Sequence, residues 1–115
     1  MNKPVKIAFS PDALKTYVAL LEKARTSKQE RALRRVIDAK IELIKANPRY
    51  GNPVAKYLIP KVYWLKYRIP NLYRIHLPFY WRMLYSLTQS NEVEILGFIL
   101  EIIDHKEYDK RFGYR

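Results

Sequence analysis

The sequence contains no cysteine, which excludes disulfide bonds, thiolate catalysis and cysteine-ligated zinc sites. This absence fits a reducing compartment, and we expect the protein to be cytoplasmic. Only three glycines occur, and none forms a phosphate-binding glycine loop. No stretch reaches the ~18 apolar residues of a membrane span, and the first residues lack the apolar run of a signal peptide. We therefore expect one domain over residues 1–115 without membrane contact.

Acidic residues are absent from the middle of the chain. Between Leu43 and Asn91 there are eight lysines and arginines and no Asp or Glu, whereas the other 66 residues carry 14 cations and 11 acids. Most of the net charge of +11 therefore lies in one segment. A field of a single sign repels itself and weakens the folded state, so it favours a polyanionic partner, either nucleic acid or an acidic protein. The alternative is a solvated basic surface without a partner.

Residues for metal or triad chemistry are also scarce. The chain has two histidines, and neither lies among acids at the spacing of a standard zinc site. No Ser/His/Asp arrangement is indicated by order or spacing. We therefore expect no metal site and no cofactor.

The first half of the chain predicts a strand followed by a helical hairpin. Val5, Ile7 and Phe9 alternate with other residues, which is typical of a strand. Ser10-Pro11 predicts a helix start, because serine caps a helix and proline suits its first position. Apolar residues at helical spacing continue to about Arg25. Ser27 and Glu30 have capping-box spacing and predict a second helix, which should end at Asn47-Pro48.

The second half predicts a loop over residues 49–60 and then extended structure. The expected strands cover 62–69, 72–77, 80–87 and 92–100, with a turn at 88–91 and the 92–100 strand in the interior of the sheet. Asp104 is a candidate cap for a short helical turn over 104–108. The fold class is α+β, with helices packed on one face of a mostly antiparallel sheet of three or more strands.

The stretch NLYRIHLPFYWRMLYSL, residues 71–87, alternates cationic and aromatic residues with aliphatic ones. Arg74 and His76 share one face of their strand, and a reversal near Pro78 would bring Arg82 close to them. Tyr73, Ile75 and Leu77 should point toward the helices. Guanidinium groups bind phosphate and stabilise its developing charge, and imidazole moves protons near neutral pH. The aromatic residues are expected mainly in packing: Tyr63, Trp64, Tyr67, Phe79, Trp81 and Tyr85.

The same stretch, the segment EVEILGFILEIIDHKEYDKRF and its DHKEYD ending resemble the RelE/ParE superfamily of toxin–antitoxin proteins. The resemblance covers nearly the whole chain. It implies a small basic toxin with an acidic antitoxin partner. RelE-like members cut mRNA on the ribosome without metal, and attack by the ribose 2′-OH leaves a 2′,3′-cyclic phosphate.

By position, the resemblance implies catalytic roles for basic residues and a C-terminal tyrosine. Arg74 and His76 match the basic positions of the first hairpin strand, and Arg82 matches a phosphate-contacting arginine on the next strand. His105 or Lys106 matches the basic residue after the last strand, and Tyr108 matches the tyrosine. Further cations of the acid-free segment and the C-terminal tail are expected to bind RNA: Lys61, Lys66, Arg68, Lys106, Lys110 and Arg111.

Two other functions remain open at this point. A ParE-like binding module would inhibit a topoisomerase without chemistry of its own, and a catalytically inactive homologue would bind RNA. An imidazole on the sheet face favours the endonuclease, because a binding module does not need one.

Overall fold

The computed structural model describes residues 4–89 and 95–113. Two 3₁₀ turns, Lys56–Leu58 and Pro78–Tyr80, accompany the helices and strands. The helices and strands in chain order are β1 (Val5–Phe9), α1 (Pro11–Lys23), α2 (Lys28–Ala46), β2 (Asn52–Pro53), α3 (Lys61–Tyr67), β3 (Tyr73–His76), β4 (Arg82–Gln89), β5 (Ile95–Ile103) and α4 (His105–Phe112).

The five described strands form one sheet in the order β1-β5-β4-β3-β2. β1 runs parallel to β5, and the remaining neighbours are antiparallel. The predicted α+β class and the mostly antiparallel sheet are therefore confirmed. β5 lies in the interior of the sheet between β1 and β4, as its apolar sequence predicts.

The predicted helical hairpin forms and covers one face of the sheet. The Ser10 hydroxyl caps α1 by accepting the N–H of Ala13 at 3.0 Å, and it donates to the carbonyl of Leu100 at 2.7 Å. α2 ends at Asn47, before the proline. Ser27 precedes α2 as predicted, but its hydroxyl bonds the Glu30 carboxylate and caps no backbone N–H. This face holds the first core, with Leu20, Leu33, Ile37, Ile44, Ile75, Leu77, Met83, Tyr85, Ile99 and Ile102 among its buried residues.

A second core covers the opposite face of the sheet. It contains Tyr63 of α3, Tyr108 of α4 and the sheet residues Leu84 and Leu100, together with Leu72, Ile69 and Ile103. Leu84 alternates with Met83 and Tyr85, which belong to the first core, so the two cores lie on opposite faces. The prediction that helices pack on one face only is therefore wrong. α3 and α4 bury much of the face that was expected to be open.

The prediction of extended structure over 62–69 is also wrong, because residues 61–67 form α3. Tyr63 is buried and Tyr67 is half-buried, at the spacing of one helical turn. This spacing packs both rings against the sheet and favours the helix over the β-propensity of the aromatic residues. The helix ends at Arg68, which has a left-handed backbone with φ 53°.

The other predicted boundaries agree with the structure to within a few residues. β3 and β4 correspond to the strands predicted at 72–77 and 80–87, and β5 extends three residues beyond the predicted end. The predicted start of that strand and residues 90–91 of the predicted turn lie outside the described residues. The prediction of a turn is wrong for residues 88 and 89, which continue β4 and pair with β5. α4 begins after Asp104, whose carboxylate accepts the N–H of Glu107 at 2.9 Å, as predicted. In the part of the chain that the structure describes, no helix combines the length and apolar character needed to cross a bilayer.

Candidate functional site

The hairpin of β3 and β4 brings the predicted basic residues together. In its antiparallel register His76 lies directly opposite Arg82. Arg74 lies two residues before His76 on β3 and therefore on the same face of the sheet. Ile75 and Leu77 face the first core, as the alternation predicted. The expected approach of Arg82 to Arg74 and His76 is therefore confirmed.

Tyr108 of α4 joins the two arginines. Arg74 Nη1 donates a hydrogen bond of 2.7 Å to the Tyr108 hydroxyl. The Cζ atoms of Arg74 and Arg82 lie 6.0 and 5.4 Å from the centre of the Tyr108 ring, within cation–π range. We call Arg74, Arg82 and Tyr108 the arginine–tyrosine cluster. Its parts come from two strands and a helix that are distant in sequence.

The guanidinium groups of the cluster have unused hydrogen-bonding capacity. The Nε atoms of Arg74 and Arg82 are buried, and neither has a hydrogen-bond partner in the described structure. Arg82 Nη1 donates to the carbonyl of Trp81 at 3.0 Å. Among the described residues, no carboxylate forms an ion pair with either arginine. Within the described residues, the two guanidinium groups therefore contact aromatic, hydroxyl and carbonyl groups and no carboxylate.

His76 stands at the exposed edge of the cluster. Partial burial lowers the pKa of its imidazole, and the positive charges of Arg82 and Arg74 lower it further. Both causes disfavour the imidazolium form. The surroundings of His76 therefore favour the neutral imidazole, which is the form that accepts a proton.

Tyr108 is almost fully buried, with 4% of its surface exposed. Its ring also stacks on Phe112 at a centroid distance of 4.4 Å. A side chain in this position orients the two arginines and has little surface left for a substrate. Its contacts thus indicate a positioning role for the tyrosine.

His105 lies at the start of α4, where it makes other contacts. Its Nε2 is 3.1 Å from a carboxylate oxygen of Asp109, and its ring centre is 6.0 Å from that of Tyr80. No contact joins His105 to Arg74 or Arg82 in the described residues. The structure therefore brings four of the five predicted catalytic residues together and leaves His105 one helical turn from Tyr108.

The predicted RNA-binding cations differ in how much of their charge is already paired. Lys66 binds Asp12 at 2.6 Å, Lys110 lies 3.8 Å from Glu107, and Arg111 Nε lies 3.1 Å from Glu101. The other three are exposed and form no ion pair within the described residues: Lys61, Arg68 and Lys106. These three are the cations of the set that are most available to a polyanion.

A buried carboxylate that the sequence analysis missed attaches α4 to the sheet and to α3. Glu101 is 6% exposed, and it accepts hydrogen bonds from the Tyr63 hydroxyl at 2.9 Å and from Arg111 Nε at 3.1 Å. The glutamate lies in an apolar strand, which hid its role. Because α4 carries Tyr108, this network helps to fix the position of the arginine–tyrosine cluster.

A surface groove of about 300 Å³ opens beside β2 and β3, and its lining residues include Arg74 and His76. Lys40 of α2 also lines it and donates a hydrogen bond of 2.7 Å to the Tyr50 hydroxyl. The sequence analysis missed Lys40, which lies outside the acid-free segment. Lys40 and His76 therefore line the same groove.

The aromatic residues only partly follow the prediction of packing roles. Tyr63 and Tyr85 are buried, and Tyr67 and Trp81 are half-buried. Trp64 and Phe79, in contrast, are 54% and 46% exposed, so the prediction is wrong for these two rings.

No family model, curated protein or solved structure matches the chain. Among the described residues, no group of three or more His, Asp or Glu side chains is close enough to hold a metal ion. The function must therefore be inferred from the arginine–tyrosine cluster and the imidazole beside it.

Proposed function

We propose that the protein is a RelE-like toxin of the RelE/ParE superfamily that cleaves mRNA on the ribosome. The observation that carries this proposal is the convergence of Arg74, Arg82 and His76 at one end of the sheet, with Tyr108 beneath them. The proposal includes a cytoplasmic location, where ribosomes are found, and an acidic antitoxin that neutralises the basic surface of the toxin.

In the proposed reaction the ribose 2′-OH attacks the adjacent phosphorus. The bond between the 2′ oxygen and phosphorus forms, and the bond between phosphorus and the 5′ oxygen breaks. The neutral imidazole of His76 takes the 2′ proton, and the leaving 5′ oxygen takes a proton from solvent. The products are a 2′,3′-cyclic phosphate and a free 5′-OH. The lowered pKa of His76 supports this role, since it favours the unprotonated imidazole.

Arg82 and Arg74 would stabilise the extra negative charge on the phosphorane. Both side chains are only half-buried, and no described carboxylate forms an ion pair with either, so the charge of their guanidinium groups supports this role. Tyr108 supports the arginines from the buried side, so their side chains lose little further entropy when the charge develops.

The test is cleavage of a defined mRNA on purified ribosomes, mapped by primer extension. Arg82→Ala is expected to slow cleavage about 10²–10³-fold, the usual effect of losing one preorganised donor. Arg82→Lys should restore only part of the rate, because lysine lacks the two-pronged donor geometry. Arg35→Ala removes the same charge from an exposed position on α2 and is the matched control.

Each variant must first give the far-UV spectrum and unfolding midpoint of a folded protein. If folded Arg82→Ala cleaves at the wild-type rate, the catalytic assignment is wrong. Two alternatives would then replace it, a ParE-like module that inhibits a topoisomerase by binding alone and an inactive RNA-binding homologue. Gel-shift titration with RNA and a DNA supercoiling assay distinguish them.

A further inference from the structure

The segment from the first 3₁₀ turn through α3 exposes an unusual amount of apolar surface. Five large side chains within nine residues are between 44% and 87% exposed: Tyr57, Leu58, Val62, Trp64 and Leu65. We call these five residues the α3 surface. Large apolar side chains in such a group mark a contact site more often than a free surface.

The helix geometry explains why these side chains have no partner within the chain. Tyr63 fixes one side of α3 in the second core, where its hydroxyl bonds Glu101. At 100° per residue, Val62, Trp64 and Leu65 project from the opposite side. The chain therefore presents this apolar side outward in a fixed orientation.

A cavity of about 460 Å³ adjoins the α3 surface. Its lining is largely apolar, with two lysines: Lys56, Ile59, Lys61, Trp64, Ile69 and Pro70. This volume is within the range of cavities that receive a ligand or an anchoring side chain. Trp64 belongs both to the cavity and to the α3 surface, so the two adjoin at this side chain.

Charge identifies the chemistry of the occupant. Lys56 and Lys61 line the cavity and Arg68 ends α3, and none of them forms an ion pair within the described residues. A second copy of this chain would carry the same uncompensated cations and would be repelled. Three of the five side chains of the α3 surface are aliphatic and cannot stack on nucleobases: Leu58, Val62 and Leu65. The occupant must therefore supply both aliphatic groups and carboxylates.

We infer that the α3 surface and its cavity dock a peptide segment of a partner protein, with apolar anchors flanked by Asp or Glu. The anchors fill the cavity beside Trp64, and the carboxylates pair with Lys56, Lys61 and Arg68. This interaction goes beyond the proposed cleavage, because it uses none of the arginine–tyrosine cluster. It stands even if the cleavage assay is negative.

The test is a display selection of random peptides, about 16 residues long, against the folded wild-type protein. The selected peptides should combine apolar residues with flanking acids. In a Trp81→Phe background, where Trp64 is the one remaining tryptophan of the sequence, they should protect its fluorescence from quenching. Leu65→Glu should weaken their binding about tenfold or more, because it places a carboxylate among the anchors. Leu43→Glu introduces the same charge at an exposed leucine of α2 and should leave binding unchanged.

Three results would overturn the inference. The first is a selection that enriches no sequence. The second is a set of peptides that lack acids or bind Leu65→Glu as tightly as wild type. The third is a single-stranded RNA that protects Trp64 and displaces the peptides, which would identify the surface as a nucleic-acid site.

Discussion

Replacement of Tyr63 by phenylalanine tests how α4 is attached to the rest of the fold. The Tyr63 ring is 2% exposed, and its hydroxyl donates to the buried Glu101 at 2.9 Å. Burial, and then the charge of Glu101, raise the pKa of the Tyr63 hydroxyl well above its usual value, so it remains a donor. The substitution keeps the ring and its packing and removes only this donor.

The expected cost is that of one buried hydrogen bond to a charged group, about 1.5–3 kcal/mol. For a domain of about this size, 1 kcal/mol corresponds to a shift of roughly 4 °C in the unfolding midpoint, so Tyr63→Phe should lower it by about 6–12 °C. Urea unfolding measures the change in the free energy of unfolding, and calorimetry measures the shift of the unfolding midpoint. Tyr57→Phe is the matched control, because Tyr57 is 87% exposed and loses no buried bond.

A double-mutant cycle with Glu101→Leu, which removes the acceptor of the Tyr63 hydroxyl, separates the hydrogen bond from other effects of the substitution. A coupling of about 1 kcal/mol or more is expected, since the two side chains are in direct contact. Additive effects, or a Tyr63→Phe variant within about 0.5 kcal/mol of wild type, would refute the reasoning.

Three further results are expected. Tyr85→Phe should destabilise the fold by about 1–3 kcal/mol in urea unfolding, because it leaves the Gly51 N–H, bonded at 2.8 Å to the Tyr85 hydroxyl, without an acceptor. Folding lowers the pKa of His76, so below about pH 6.5 the unfolded chain binds more protons than the folded chain. The free energy of unfolding should therefore fall as the pH falls through this range. His76→Gln should reduce this loss in unfolding curves measured across that range. Finally, RNA affinity should fall steeply with salt, with a logarithmic slope near −0.7 per phosphate contact; affinity independent of salt would contradict electrostatic binding.

The arrangement of the basic residues could be predicted because strand alternation is a local property. Arg74 and His76 share a face by their spacing alone, and the turn near Pro78 places Arg82 opposite His76. The same alternation predicted that Ile75 and Leu77 face the helical hairpin. These predictions needed only the period of a strand and one reversal of the chain.

The second layer of helices could not be predicted in this way. Val62, Tyr63 and Tyr67 have high β-propensity, and the helix forms because Tyr63 and Tyr67 find partners on a distant part of the sheet. Their spacing of four residues was the available signal. Glu101 was hidden for a related reason, since a register shift near Leu84 interrupts the alternation on the paired part of β5.

The charge around Tyr108 gives a physical reason to expect a ligand there. Within the described residues, Arg74 and Arg82 share the Tyr108 ring and donate hydrogen bonds to neutral oxygen atoms. The acids of this layer have other partners: Glu101 and Glu107 pair with Arg111, Asp109 with His105, and Asp104 caps α4. A fold selected only for stability would gain by placing a carboxylate beside the two arginines, because buried donors without acceptors cost free energy. In the function proposed above, the phosphodiester would supply the negative charge that the two half-buried guanidinium groups do not meet within the described residues.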